Sequence, residues 1–319
     1  MILRFWGVRG SLPTPADAND YRSKLRRVLA KAAETDVSTE EKREAFIDGL
    51  EGGLGKPYGG NTPCVEARVG DDIYIFDLGS GARALGGTLV GAPRRDGKLP
   101  LHIFMTHTHW DHIQGFPFFV PAYLPDVEMN FYSPHAHLKE RFMGQQDFRF
   151  FPVSMNYMQS KKNFTRLDPE ASFTVGDATI SNTELKHPGK SYAFRMDADG
   201  ASFVYASDSE YNGLDDETIE RQVEFFKGAD VLIFDAHYSR EEERKRIDWG
   251  HSSGTVGVDI AVRADVKKLA LFHHAPENDD FQIETLRDEA VAYLRDAHPD
   301  SALEIFPARE GDEFELMGG

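Results

Sequence analysis

Cysteine is almost missing from this chain: Cys64 is the only one among 319 residues. No internal disulfide can form, and a thiolate metal site is excluded for want of sulfur. The expected setting is a reducing cytoplasm. Long apolar runs are missing too, so no segment is expected to span a bilayer. The N-terminus, Met1-Ile2-Leu3-Arg4-Phe5-Trp6-Gly7, lacks the charged start and apolar stretch of a signal peptide and reads as a first strand. Positive charge is in deficit. Lys and Arg number 36 against 53 Asp and Glu, a formal net charge of -17. Such a field repels polyanions and argues against long nucleic acid as a partner. It leaves room for a small anionic substrate held by local cations. No internal repeat or low-complexity tract is found.

Hydrophobic residues make up 40% of the chain, enough for a large core. One domain over residues 1–319 is expected. Short segments rich in Val, Ile and Phe, bounded by Gly, Asp or Pro, predict ten strands. These are Ile2–Trp6, Cys64–Val69, Ile73–Asp77, Leu101–Met105, Val127–Tyr132, Ala178–Thr183, Ser202–Ala206, Val231–Phe234, Lys268–Phe272 and Leu303–Phe306. Gly70-Asp71-Asp72 predicts a hairpin. Helices are predicted at Tyr21–Ala33, Thr39–Leu50, Ile113–Tyr123, Asp216–Lys227, Ser253–Arg263 and Phe281–Ala297. Ser38 has capping-box spacing to Glu41 and is expected as an N-cap. Hairpins mixed with helices fit an α+β fold with two packed sheets covered by helices.

Residues 14–57 stand apart as a charged, helical insert with a glycine-rich exit, Gly52-Gly53-Leu54-Gly55. Leu25, Val28, Leu29 and Ala32 form a narrow apolar stripe on its first helix. A cover over a site entrance and a peripheral decoration or dimer contact are both open.

The segment Thr106-His107-Thr108-His109-Trp110-Asp111-His112 carries the chemistry. It places three imidazoles and one carboxylate at the end of an apolar strand. His107 and His109 are two apart, so in an extended chain they point the same way and can grip one metal. Asp111 and His112 follow in the turn and can face a second. Further candidates end later strands: His187 before Pro188-Gly189, Asp208 after Phe203-Val204-Tyr205-Ala206, and His273 after Leu269-Ala270-Leu271-Phe272. A carboxylate at Asp208 can bridge two metals, which an imidazole cannot. His273 and His274 are consecutive, so only one should reach the metals.

This pattern resembles the metallo-β-lactamase superfamily, and specifically its phosphodiesterase-like branch, which includes tRNase Z and cyclic nucleotide phosphodiesterases. The resemblance covers nearly the whole chain outside the insert. It includes Arg4-Phe5-Trp6-Gly7-Val8-Arg9-Gly10-Ser11, Gly59-Gly60-Asn61-Thr62-Pro63-Cys64 and Phe76-Asp77-Leu78-Gly79-Ser80-Gly81. Lys186-His187-Pro188-Gly189, Ala206-Ser207-Asp208, Trp249-Gly250-His251-Ser252 and Leu271-Phe272-His273-His274 follow in the same order.

The resemblance implies an αββα sandwich and two divalent metal ions, zinc first, with manganese or iron as alternatives. His107, His109 and His187 would hold one ion and Asp111, His112 and His273 the other. Asp208 and a water or hydroxide would bridge them. His273 is preferred over His274 because the tRNase Z pattern has its ligand directly after such a strand. Asp77 is expected to support the ligand loop. His251 is the expected acid for the leaving oxygen, oriented and charged by Asp235, and Asp111 counts with them as catalytic.

The other histidines read more plainly. His102 reads as a packing or surface residue, and His298 as a helix C-terminal one. His135 and His137 are expected at a substrate contact or exposed, and His237 as a pocket lining. Trp110, Phe116, Phe118, Phe119 and Tyr123 could wall a base or acyl group, but their spacing favours helix core.

The leading expectation is hydrolysis of a small phosphodiester such as a cyclic nucleotide. A pre-tRNA nuclease is disfavoured by charge and by the lack of a glycine- and proline-rich arm. Lactone or carboxyl-ester hydrolysis, assisted by Tyr238 or Tyr211, is one alternative. A di-iron protein binding oxygen or nitric oxide is another, though relatives of that kind carry a carboxylate at the place of His109. No membrane is expected as a partner, and a homodimer is possible.

Overall fold

The computed structural model describes residues 1–318. Two seven-stranded sheets pack face to face. One contains β1 (Ile2–Gly7), β2 (Cys64–Val69), β3 (Asp72–Phe76), β4 (Leu99–Phe104), β5 (Val127–Ser133) and β6 (Lys161–Arg166). The other contains β7 (Ser172–Val175), β8 (Ala178–Leu185), β9 (Ser191–Ala198), β10 (Ala201–Ala206), β11 (Val231–Asp235), β12 (Lys268–Phe272) and β13 (Glu304–Pro307). A last strand, β14 (Glu313–Glu315), returns to pair with β1. The insert carries α1 (Ala18–Ala33), α2 (Glu40–Asp48) and the single turn α3 (Gly52–Gly55). The first sheet is crossed by α4 (Ala82–Leu89), α5 (Trp110–Ile113) and α6 (Leu138–Gln145). The second is crossed by α7 (Asp216–Phe226), α8 (Arg240–Glu243), α9 (Gly254–Arg263) and α10 (Asp280–Ala297).

The two sheets follow one plan. Strands β1 to β3 are antiparallel neighbours, then β4, β5 and β6 continue parallel to β3. Strands β7 to β10 are antiparallel, then β11, β12 and β13 continue parallel to β10. Parallel neighbours require crossovers, and the crossing helices cover the outer faces. The alternation of side chains shows this directly. Tyr74 and Phe76 face the core between the sheets while Ile73 and Ile75 pack outward under α4 and the Phe116 region. Phe203 and Tyr205 face inward while Val204 and Ala206 pack under α7 and α9. The middle layer is dominated by rings. Phe76 lies 5.1 Å from Phe104 and 5.2 Å, edge on, from Phe203 across the sheets. Each fully buried phenylalanine there stabilises the fold by about 2 kcal/mol.

Several expectations change. β6, β7, β9 and β14 were not legible, nor were α3, α4, α6 and α8. Lys161–Arg166 is charged and half exposed, so it shows no apolar alternation. The helix expected at Ile113–Tyr123 is instead the short α5 followed by two 3-10 turns. Pro117 and Pro121 each remove a backbone donor there and stop an α-helix. Phe116 and Phe119 are buried as expected, but Trp110 and Phe118 are more than half exposed. The N-cap of α2 is Thr39, whose hydroxyl accepts from the Lys42 N–H, and not Ser38. The expected stripe on α1 is not a core face, since no residue of α1 or α2 is buried. These helices are held at few points, with Lys24 paired to Asp280 and Arg27 stacked 3.5 Å over Phe281.

Candidate metal centre

In parallel sheets the carboxyl ends of the strands are where binding groups collect. Here both sheets send such ends to one place. Asp77 follows β3, and His107 to His112 follow β4. From the facing sheet, His187 follows β8, Asp208 follows β10, Asp235 ends β11 and His273 follows β12. Asp77, Asp208 and His273 all adopt left-handed backbone, with φ of 59°, 56° and 60°. That turn swings each side chain off the strand axis and into the gap between the sheets.

The candidate ligands form two groups that share Asp208. His107, His109, His187 and Asp208 each offer one atom within 4.8 Å of the others, and so do Asp111, His112, Asp208 and His273. The two oxygens of Asp208 divide between them. Oδ2 faces His107 Nε2 at 3.6 Å and His187 Nε2 at 3.7 Å, while Oδ1 faces His112 Nε2 at 3.0 Å and His273 Nε2 at 3.2 Å. Asp111 Oδ2 lies 3.1 Å from His273 Nε2 and 3.4 Å from His112 Nε2.

The surrounding hydrogen bonds fix which nitrogen of each ring is free. His112 Nδ1 donates to Asp77 Oδ2 at 2.7 Å, and His187 Nδ1 donates to the Gly250 carbonyl at 2.8 Å. Each Nε2 is then a lone pair aimed inward. The Nε2 atoms of His107 and His112 are buried with no hydrogen-bond partner. Buried orphan nitrogens pointed at carboxylates fit divalent cations, whose charge and lone-pair demand satisfy both. Asp77 is fully buried and also accepts from the Thr106 N–H and hydroxyl and from the Tyr205 hydroxyl. Ser11 N–H donates to Asp111 Oδ2 at 2.8 Å, which holds the segment leading into the insert against the centre.

His274 lies elsewhere. Its Nε2 bonds the Ala308 carbonyl at 2.9 Å, and burial pushes its imidazole down to about 3. His251 Nδ1 donates to Asp235 Oδ2 at 2.7 Å. Burial alone would lower this imidazole, but the Asp235 charge and hydrogen bond outweigh it and raise it to about 9. Asp235 is fully buried and is held by the N–H groups of Ser209 and His237.

Some residues fall outside the expectations. Tyr211 packs in the outer core of the second sheet, its ring 5.6 Å from that of Phe234. Tyr238 stands edge on to His251 at 5.8 Å. His135 is buried, not exposed, and burial pushes it down to about 4. His137 is the exposed N-cap of α6. His102 stacks on Tyr74, and His298 bonds Asp259 at 2.8 Å. The sequence reading missed Glu210, which is buried and accepts from the N–H groups of Asp248 and Gly250 at 2.8 and 2.9 Å. It thereby shapes the loop that carries His251. Its position two residues after Asp208 was the only signal for it.

A family model described as the beta-lactamase superfamily domain matches residues 76–274. The chain belongs to the metallo-β-lactamase superfamily. A ribonuclease Z of Picrophilus torridus is 24% identical over 297 residues, covering 78% of this chain and 91% of that protein. Among solved structures, the metallo-β-lactamase fold protein YhfI of Bacillus subtilis superposes with a TM-score of 0.62 at 19% identity, over 98% of both chains. The short form of human tRNase Z does so with 0.61 at 16% identity, over 99% of both. As a metallo-β-lactamase superfamily member, the chain is a metal-dependent hydrolase. Among its described residues, no helix is long and apolar enough to cross a membrane.

Proposed function

We propose that this metallo-β-lactamase superfamily member hydrolyses small phosphodiesters, such as cyclic nucleotides, with two divalent ions, zinc by preference. The observation that carries the reading is the division of Asp208 between two ligand groups, with the Asp235–His251 pair beside them. The names of the ribonuclease Z relatives point to phosphodiester chemistry as well. His107, His109 and His187 would hold one ion, Asp111, His112 and His273 the other, and Asp208 both. When bound, such ions polarise the phosphoryl oxygens and lower the pKa of water. A set of five imidazoles and two carboxylates suits zinc.

The chain's own groups do the rest. Asp77 holds the His112 ring and the Gly250 carbonyl holds His187, so the ligands are oriented before substrate arrives. His251 carries a proton on Nε2 while Nδ1 is held by Asp235, and gives it to the departing oxygen. The net charge of -17 favours a small substrate over a long polyanion. The decisive test is a panel of bis(4-nitrophenyl) phosphate, cyclic nucleotides, a short RNA and an acyl-lactone, run on protein of measured metal content. Turnover of the phosphodiesters with an inert lactone supports the reading. Turnover of the lactone alone replaces it with ester hydrolysis.

A further inference from the structure

His237 has no part in the ligand set, yet it is buried against the acid. Its ring stacks on His251 with centroids 4.4 Å apart and planes 18° from parallel. One nitrogen from each of His237, His251 and His273 lies within 4.8 Å of the others. Stacked rings present edges side by side, so the two imidazoles do not hydrogen-bond each other. His237 Nδ1 faces the His273 carbonyl at 2.9 Å. A carbonyl only accepts, so the proton of the neutral ring sits on Nδ1 and the lone pair on Nε2. For His251 the assignment is the reverse in function. Nδ1 is tied to Asp235, and the acid's proton leaves from Nε2. Gly10 closes the Nδ1 side, since a Cβ there would lie 2.8 Å from His237 Nδ1 and 2.5 Å from His273 Nδ1. Among the described residues, neither Nε2 has a hydrogen-bond partner in the protein. The two rings, with centroids 4.4 Å apart, therefore carry one donor and one acceptor beside the centre.

We propose that His237 selects substrates whose leaving oxygen has a hydroxyl on the neighbouring carbon, as O3′ of a ribonucleotide has and O3′ of a deoxyribonucleotide lacks. In the step, a water oxygen bonds to phosphorus and the P–O3′ bond breaks, its electron pair staying on O3′. O3′ takes the proton from His251 Nε2, and the proton that water gives up returns to His251 through solvent. The neighbouring 2′-hydroxyl donates to His237 Nε2 throughout, which seats O3′ at the acid. A deoxy substrate leaves that acceptor unpaired and the leaving oxygen loosely placed. This inference rests on the phosphodiester reading with His251 as acid.

The test compares kcat/KM for 3′,5′-cyclic AMP with its 2′-deoxy form, and for a diadenosine phosphate with its deoxy form. Bis(4-nitrophenyl) phosphate reads the phosphodiester reading on its own, because it has no hydroxyl to recognise. The wild-type protein should favour each ribo substrate by at least about tenfold. His237→Phe keeps the flat ring without the acceptor and should bring the ratio near one. His237→Gln, whose amide oxygen reaches the Nε2 position, should restore part of it. A ratio near one in the wild-type protein, or no turnover of either pair while bis(4-nitrophenyl) phosphate is cleaved, overturns the proposal and leaves the phosphodiester reading standing. Equal loss on ribo and deoxy substrates in His237→Phe shows a merely structural ring and also overturns it. An inert bis(4-nitrophenyl) phosphate, in protein of full metal content, removes the phosphodiester reading itself.

Discussion

His251 and Asp235 come from two segments 16 residues apart, and their side chains meet at 2.7 Å with the carboxylate fully buried. One end of the imidazole is thus fixed and charged while the other remains free beside the ligand groups.

The first consequence is a leaving-group dependence. His251→Ala should retain its metal and lose roughly two to four orders of magnitude in turnover of cyclic nucleotides. The loss on bis(4-nitrophenyl) phosphate should be much smaller, because nitrophenolate departs without a proton. Equal losses on the two substrates would mean that His251 binds the phosphate or supports the loop instead.

The second is a shift in pH profile. Asp235 holds the His251 proton, so removing its charge with Asp235→Asn releases that proton at lower pH. The alkaline limb of kcat for a cyclic nucleotide, where the acid is lost, should move to lower pH. The limb should stay in place for a nitrophenyl substrate. An unmoved limb for both would detach Asp235 from the acid.

Metal content tests the shared carboxylate. Elemental analysis of the wild-type protein should give two ions per chain. Asp208→Ala removes a ligand from both groups at once and should lose both ions and most activity. His273→Ala should lose one ion, and His274→Ala should keep both, since the His274 nitrogen bonds the Ala308 carbonyl. One ion in fully active wild-type protein would end the dinuclear assignment.

Asp77 tests how the loop is held. It is fully buried and accepts from Thr106, His112 and Tyr205. Asp77→Ala leaves those donors buried and unpaired and should destabilise the protein by about 3–5 kcal/mol, read from denaturant midpoints. Metal affinity should fall by about 10- to 100-fold in titrations. A wild-type midpoint and affinity would show that the loop is held by other contacts.

The insert gives the last prediction. No residue of α1 or α2 is buried, and Ser11 at its root bonds Asp111. We propose that α1 and α2 form a cover that limits substrates to small molecules. Replacing residues 18–50 with a short linker should leave folding and metal content intact and raise turnover of oligonucleotides relative to cyclic nucleotides. Loss of folding, or a dimer becoming a monomer, would make the segment a structural or interface element.

Much of this was legible along the chain because the determinants are local. Short segments rich in apolar residues marked Cys64–Val69 and Lys268–Phe272 to the residue, since both faces of these strands are largely buried. The pairing of His107 with His109 was legible because extended backbone places i and i+2 on one side. Other features depended on contacts made at a distance. β6 is charged and half exposed, and pairs only because β5 offers it an edge. Trp110 and Phe118 look like core by spacing but are exposed: Trp110 opens the single turn α5, and Phe118 lies in a 3-10 turn where Pro117 and Pro121 prevent an α-helix. His273 and His274 are identical in type and adjacent in sequence. Their different placements follow the left-handed turn at His273, which lies in the His/Asp cluster, and the Ala308 carbonyl 34 residues downstream, which takes the His274 nitrogen. The sequence by itself determined which residue types could bind a metal and in what order they come. Only the tertiary structure decided that Asp208 stands between the two groups and that His237 stacks on the acid, because those distances depend on how two sheets from different halves of the chain pack together.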